Sequence, residues 1–253
     1  MIPFFRKIRK KMADDNKPLK YMRYAIGEIV LVVIGILIAL QINNWNEGQK
    51  TKKLEKEYLV RLRKDLVADT IYLSNRLRKV KKNKANIYQF IHEIYNIQNS
   101  EEEFKRIFLM QSLDASNLVM QTSTFEELKN TGLINIIQNE QLKMNLIELY
   151  REYQVAAEHF FEINNFSSRE VFGKSVNVAH KYWRPDLYDE KRLFEGTDWT
   201  FINDPSSENF RLLESTQTTY YIKYSFFIGH FENLLPKSKA LINMISEDLP
   251  KEN

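Results

Sequence analysis

The 253-residue chain contains no cysteine, seven glycines and six prolines. Without cysteine there is no disulfide framework, no thiolate metal site and no thiol nucleophile. Seven scattered glycines leave no room for a phosphate-cradling loop. Neither G-x-G-x-x-G, a P-loop nor a G-x-S-x-G elbow is present. The four histidines, His92, His159, His180 and His230, are dispersed and form no H-E-x-x-H or similar ligand spacing. They are read as ordinary surface or core residues, so no metal and no cofactor is expected. Close carboxylate pairs, Glu101–Glu103 and Glu126–Glu127, fall at the starts of expected helices. There the helix dipole favours negative charge and no catalytic reading is needed. The expectation is that the chain is not an enzyme.

What is present is apolar and charged in blocks. Apolar residues make up 43% and charged residues 28%, a balance that suits a helix-rich folded chain rather than a disordered one. The net charge of +4 is a local matter. Residues 1–23 hold eight basic and two acidic residues, while the remainder holds 29 basic and 31 acidic. The large domain is therefore near neutral, which argues against a nucleic-acid partner.

Tyr24–Ile42 is a 19-residue run whose single charge is Glu28. At 1.5 Å per residue it spans about 28 Å, close to the ~30 Å hydrocarbon core of a bilayer. A cleaved signal peptide also starts basic and turns apolar, but this run is long and its end, LIALQINNW, offers no small-x-small cleavage site. It reads as an uncleaved signal-anchor. The basic flank places the N-terminus in the cytoplasm and residues 46–253 outside the inner membrane, in the periplasm. Ile2, Phe4, Phe5, Ile8 and Met12 share one helical face opposite Arg6 and its basic neighbours. The first segment thus reads as an amphipathic helix on the lipid surface. Arg23 and Trp45 fall at the two ends of the span, where interfacial residues belong. The organisation read from sequence is a basic segment 1–23, a transmembrane helix 24–45 and an exported helical domain 46–253.

Within the span, Gly27, Leu31, Gly35 and Ala39 lie four apart, and Gly35-x-x-x-Ala39 is a small-x-x-x-small pair. Glu28 lies beside that stripe. A carboxylate there either snorkels to the inner headgroups or faces another helix, and the two readings stand level.

The segments FFRKIR, YAIGEIVLVVIGILIALQINNWNE and FEELKNTGLINII together resemble an uncharacterised family of single-pass membrane proteins of Bacteroidota-type bacteria. The resemblance implies an inner-membrane protein carrying a domain of unknown function. Its signature corresponds here to Gly27, Glu28, Gly35 and Gln41–Trp45, and it brings no catalytic residues.

Between Gly48 and Gly132 there is neither glycine nor proline. Leu59, Leu66, Leu73, Val80, Ile87 and Ile94 recur at every seventh position, which predicts one long helix over about 50–98 that can continue directly from the membrane helix. The companion column reads Leu62, Asp69, Arg76, Asn83, Phe90, Ile97. Its polar middle is unlike a coiled coil; Asp69 and Arg76 either line a ligand pocket or, as preferred here, form a solvated stretch. Ser100-x-x-Glu103 and Ser123-x-x-Glu126 are capping boxes. They predict a helix from Glu101 to near Gln111, a loop over 112–123 and a short helix stopping at Gly132. A long helix from about Asn139 to Phe166 or beyond carries Leu142, Leu146, Leu149, Tyr153, Ala156, Phe160 and Ile163 on one face. Residues 173–205 read as irregular. A helix over 206–234 is expected next, then a break at Pro236 and a short helix over 237–247. In the irregular part, Tyr182, Trp183, Tyr188 and Trp199 form an aromatic loop that either recognises a ligand or partner or, as preferred, plugs the end of a bundle.

The fold expected is all-α: one N-terminal transmembrane helix followed by an exported antiparallel bundle of four or five helices. The function expected is an interaction, scaffold or accessory subunit of an inner-membrane complex. Its partners would be membrane lipids and other membrane subunits or a second copy of the chain. Two alternatives remain: a sensor-type ligand-binding domain that signals through a partner, and an ion-coupling partner that uses Glu28.

Overall fold

The computed structural model describes residues 18–96, 114–174 and 200–249. Among these residues there is no strand. Four α-helices run as α1 (Pro18–Ile94), α2 (Ser123–Asn130), α3 (Glu140–Lys174) and α4 (Glu208–Asp248), with single 3-10 turns at Leu133–Ile136 and Thr200–Asn203. The chain divides into two units, Met1–Glu57 and Tyr58–Asn253. α1 is unbroken through Gly48, as its freedom from proline allows.

In the first unit, every large apolar side chain from Ile26 to Ile42 is 46–71% exposed. An 18-residue window there has a mean hydropathy of 2.6. This is the one helix among the described residues that is long and apolar enough to cross a membrane.

The second unit has its own core. All six seventh-position residues, from Leu59 to Ile94, are at most 3% exposed. A seven-residue repeat keeps these side chains on one side of a 3.6-residue helix, so the stripe meets the neighbouring helices along its length. The predicted face of α3 is buried from Leu142 through Phe160. At Ile163 it gives way to buried Asn164 and Ser167.

α3 and α4 run antiparallel. Asn139 reaches Asp248, Tyr153 hydrogen-bonds Ser238 at 2.7 Å, and Phe160 stacks on Phe227 with centroids 3.7 Å apart. α4 is likewise reversed against α1, with Arg63 donating to Ser246 and Tyr95 to Glu214. α2 is pinned to α1 through Glu127, which accepts from the Tyr58 hydroxyl at 2.6 Å and pairs with Arg61. Gly132 ends that turn at φ 74°, a left-handed conformation that favours glycine.

Several local expectations are corrected. Pro236 does not break the last helix; α4 runs through it to Asp248. The proline lacks the N–H that would bond back one turn. Buried Leu234, Ser238, Leu241 and Ile245 on either side hold the chain helical, and Ser238 returns a hydroxyl bond to the Leu234 carbonyl at 2.8 Å. The capping box at Ser123 does not form. The cap position is Thr122, in a helical backbone conformation with no side-chain cap bond, and Ser123 is already helical. Ser207 caps α4, accepting from the Phe210 N–H at 3.2 Å, and Asn139 does the same for α3 through Leu142. The helix expected at Glu101 lies outside the described residues, as do Phe4, Phe5, Arg6, Tyr182, Trp183, Tyr188 and Trp199.

Candidate functional site

The middle of the second unit is polar and buried. Asp69, Asn83, Asp114, Asn164, Gln217 and Lys223 are each at most 7% exposed. The solvated reading of Asp69 and Arg76 is thereby overturned: Asp69 is 2% exposed and the Arg76 side chain 11%. Residues 114–122, which have no regular structure, supply what the helix periodicity could not reveal. The segment brings partners to both residues.

At its centre is Asp114. Its carboxylate accepts from Arg76 Nη1 at 3.0 Å, faces Lys79 Nζ at 3.2 Å, and accepts from the Ser116 backbone N–H at 2.8 Å. Arg76 Nη2 also donates to the Ser116 carbonyl. The Asp114 N–H donates to the Tyr224 hydroxyl at 2.7 Å, which ties the segment to α4. Burial pushes the Asp114 carboxyl up, but the Ser116 bonds and the Arg76 and Lys79 charges outweigh it and hold it at about 2. Burial lifts Tyr224 to about 12.

Lys223 adjoins Tyr224 and is 1% exposed. Its Nζ lies over the rings of Tyr220, Phe227 and Tyr224, at 4.8, 5.6 and 6.0 Å from their centroids. Burial lowers its pKa to about 8, opposed by the Asp114 charge and assisted by Arg76. Several buried polar atoms here and nearby have no hydrogen-bond partner among the described residues: Arg76 Nε, Lys223 Nζ, Asn164 Oδ1 and Gln217 Oε1. Such atoms are uncommon in a folded core, because each costs its full desolvation.

A second polar group lies toward the Tyr58 end of the unit. Asp69 accepts from the Gln121 N–H at 2.9 Å through one oxygen, and its other oxygen has no partner. The neighbouring Asp65 accepts from the Thr124 hydroxyl. Burial lifts the Asp69 carboxyl from 3.8 to about 6, assisted by the Asp65 charge and opposed by the Gln121 bond. Because its folded value is the higher, Asp69 stabilises most below pH 3.8, and that contribution is lost as pH rises through about 6. The difference is about 3 kcal/mol at 1.36 kcal/mol per unit. Asp69→Asn should therefore gain stability relative to the parent as pH rises from 4 to 7. Urea midpoints across that range test this, and parallel profiles would refute it.

Other expected residues are placed as follows. Gly27, Glu28, Gly35 and Ala39 lie on α1 within the first unit. At about 100° per residue, Glu28 falls between Gly35 and Ala39 around the helix. A Cβ added at Gly27 or Gly35 would meet nothing within 4 Å, so neither glycine is packed against another element among the described residues. Glu28 is half-buried and Trp45 is 68% exposed. Arg23 falls on the same helix. Two of the histidines, dispersed in the sequence, come together: His159 Nδ1 and His230 Nε2 meet at 3.2 Å across α3 and α4. Burial, then the His159 charge, lowers His230. No group of three or more potential metal ligands occurs among the described residues. A shallow groove of about 200 Å³ between α3 and α4, lined by Asn145, Leu149, Lys237, Leu241 and Met244, lies apart from the Asp114 layer.

These features define an all-helical protein with one N-terminal helix apolar enough to span a membrane. The chain belongs to the family of unknown function DUF6090, which matches residues 28–178. That match starts at Glu28 and takes in the rest of α1, the 114–122 segment, α2 and α3. No curated protein and no solved structure matches the chain.

Proposed function

We propose that this protein is a single-pass inner-membrane interaction subunit, with its N-terminus in the cytoplasm and residues 46–253 in the periplasm of a Bacteroidota-type cell. The observation that carries this reading is the apolar stretch Ile26–Ile42, whose large side chains are all exposed, while the described residues from Tyr58 onward pack a core of their own. Exposed apolar surface of that extent needs lipid or another helix to cover it. The small residues Gly35 and Ala39, both exposed among the described residues, supply a face for close helix contact, and Glu28 lies beside them. In this reading the protein acts by holding partners together and not by catalysis.

Mild-detergent extraction followed by native mass measurement tests the proposal. Association with membrane subunits or a second copy is expected, and monomers alone would overturn it. The lack of cysteine makes the topology directly testable. Single-cysteine variants Lys10→Cys and Lys50→Cys each carry the chain's one thiol. On intact spheroplasts an impermeant maleimide should label the second and not the first.

A second reading is favoured by the buried polar layer around Asp114. Helical domains bind small ligands between helices through a few convergent polar groups. The unpartnered atoms of Arg76 and Lys223 fit that use. In this reading the periplasmic unit senses a ligand and signals through a membrane partner.

A further inference from the structure

The charges buried around Asp114 do not balance. Arg76 and Lys223 are buried cations, and Asp114 is the buried carboxylate that interacts with both. Lys79, the other cation on Asp114, is 54% exposed and is solvated. Among the described residues one positive charge is left over around Asp114. At neutral pH Lys223 stays protonated, since burial lowers it only to about 8.

Hydrogen bonding is incomplete at the same two cations. Arg76 Nε and Lys223 Nζ are donors, and neither has an acceptor among the described residues. The rings of Tyr220, Tyr224 and Phe227 attract the ammonium but offer no lone pair for its N–H groups. Ordered water can accept from these donors, yet water leaves the surplus charge in place. A single negative charge on an acceptor-rich group answers both deficits. A carboxylate has two oxygens and about four acceptor sites, and guanidinium and ammonium groups bind it with charge-assisted bonds. The aromatic side chains beside Lys223 suit a short alkyl tail.

We propose that Arg76 and Lys223 form a binding site for a small monocarboxylate. This deepens the second reading above and rests on it.

The test is thermal unfolding of the full chain in detergent micelles at pH 7. The titrants are sodium formate, acetate and propionate, each against sodium chloride at equal ionic strength. The parent midpoint should rise with the logarithm of carboxylate concentration, by about 5 °C at a hundredfold excess over Kd. Chloride should give no such rise. Lys223→Met places an unbranched apolar chain among the three rings and should fold, while its carboxylate response should vanish. An equal shift from chloride, or a carboxylate shift retained by Lys223→Met, would overturn the site. If Lys223→Met does not fold, the line width of ¹³C-formate with the parent protein decides. Saturable broadening displaced by acetate supports the site, and its absence refutes it. Neutral amides and sugars are run alongside. A shift with these alone removes the carboxylate site and keeps the ligand-binding reading, whereas no shift with any compound removes both.

Discussion

Asp114→Ala should destabilise the unit by about 3–5 kcal/mol, the range for removing one member of a buried ion pair. The substitution leaves Arg76, 11% exposed, and Lys223, 1% exposed, with no buried counter-charge, and strands the Ser116 N–H that the carboxylate receives. Urea unfolding of the full chain in micelles measures the loss, and a change under 1 kcal/mol would contradict it. The double variant Asp114→Leu with Arg76→Met removes both charges and should recover much of that loss. The acid limb carries a second signature. The folded Asp114 value, about 2, is below the ordinary 3.8, so its contribution is present above pH 3.8 and disappears as pH falls through about 2. Asp114→Ala should lose this limb. Its direction is opposite to the Asp69 effect, so the two carboxylates separate in one pH series.

Phe160→Ala should cost a similar amount, about 3–5 kcal/mol, through lost burial and the cavity left behind. Phe160 is fully buried, stacks nearly parallel on Phe227 at 3.7 Å, and meets Phe231 at 5.3 Å. It therefore joins α3 to α4 at the middle of their antiparallel contact. Its neighbour Phe161 is 51% exposed, and Phe161→Ala should change stability by no more than about 0.5 kcal/mol. Comparable losses at 160 and 161 would show that this register of α3 on α4 is wrong. The two positions differ by about 100° around one helix, so the contrast tests orientation rather than composition.

Periodic features were readable directly. The seventh-position column Leu59–Ile94 and the face Leu142–Phe160 needed nothing beyond helix geometry, and each is buried as that geometry requires. Non-periodic features were not. Asp69 and Arg76 looked solvated because their partners, Gln121 and Asp114, stand 52 and 38 residues away on a segment with no pattern of its own. The His159–His230 contact joins residues 71 apart on two helices. No local spacing encodes it. A residue near such a signal was legible only in hindsight: Lys223, an isolated lysine between Tyr220, Tyr221, Tyr224 and Phe227, is a cation set among aromatics.

Local rules failed where tertiary packing opposed them. Pro236 should end a helix, but buried residues a turn before and a turn after it outweigh one missing hydrogen bond. Ser123 should cap α2, yet the helix is entered one residue earlier, while the adjacent Thr124 hydroxyl bonds Asp65 on α1.

By itself, then, the sequence determined an all-helical chain, an apolar N-terminal helix of membrane-spanning length and the apolar faces of its long helices. Helix periodicity and hydropathy are local properties of the chain, and they survive without knowledge of what packs where. Only the tertiary structure decided that the polar positions of α1 turn inward. Burying Asp69, Arg76 and Lys223 depends on a distant irregular segment reaching them. Whether a charge is solvated, paired or left in surplus is a property of that assembled neighbourhood.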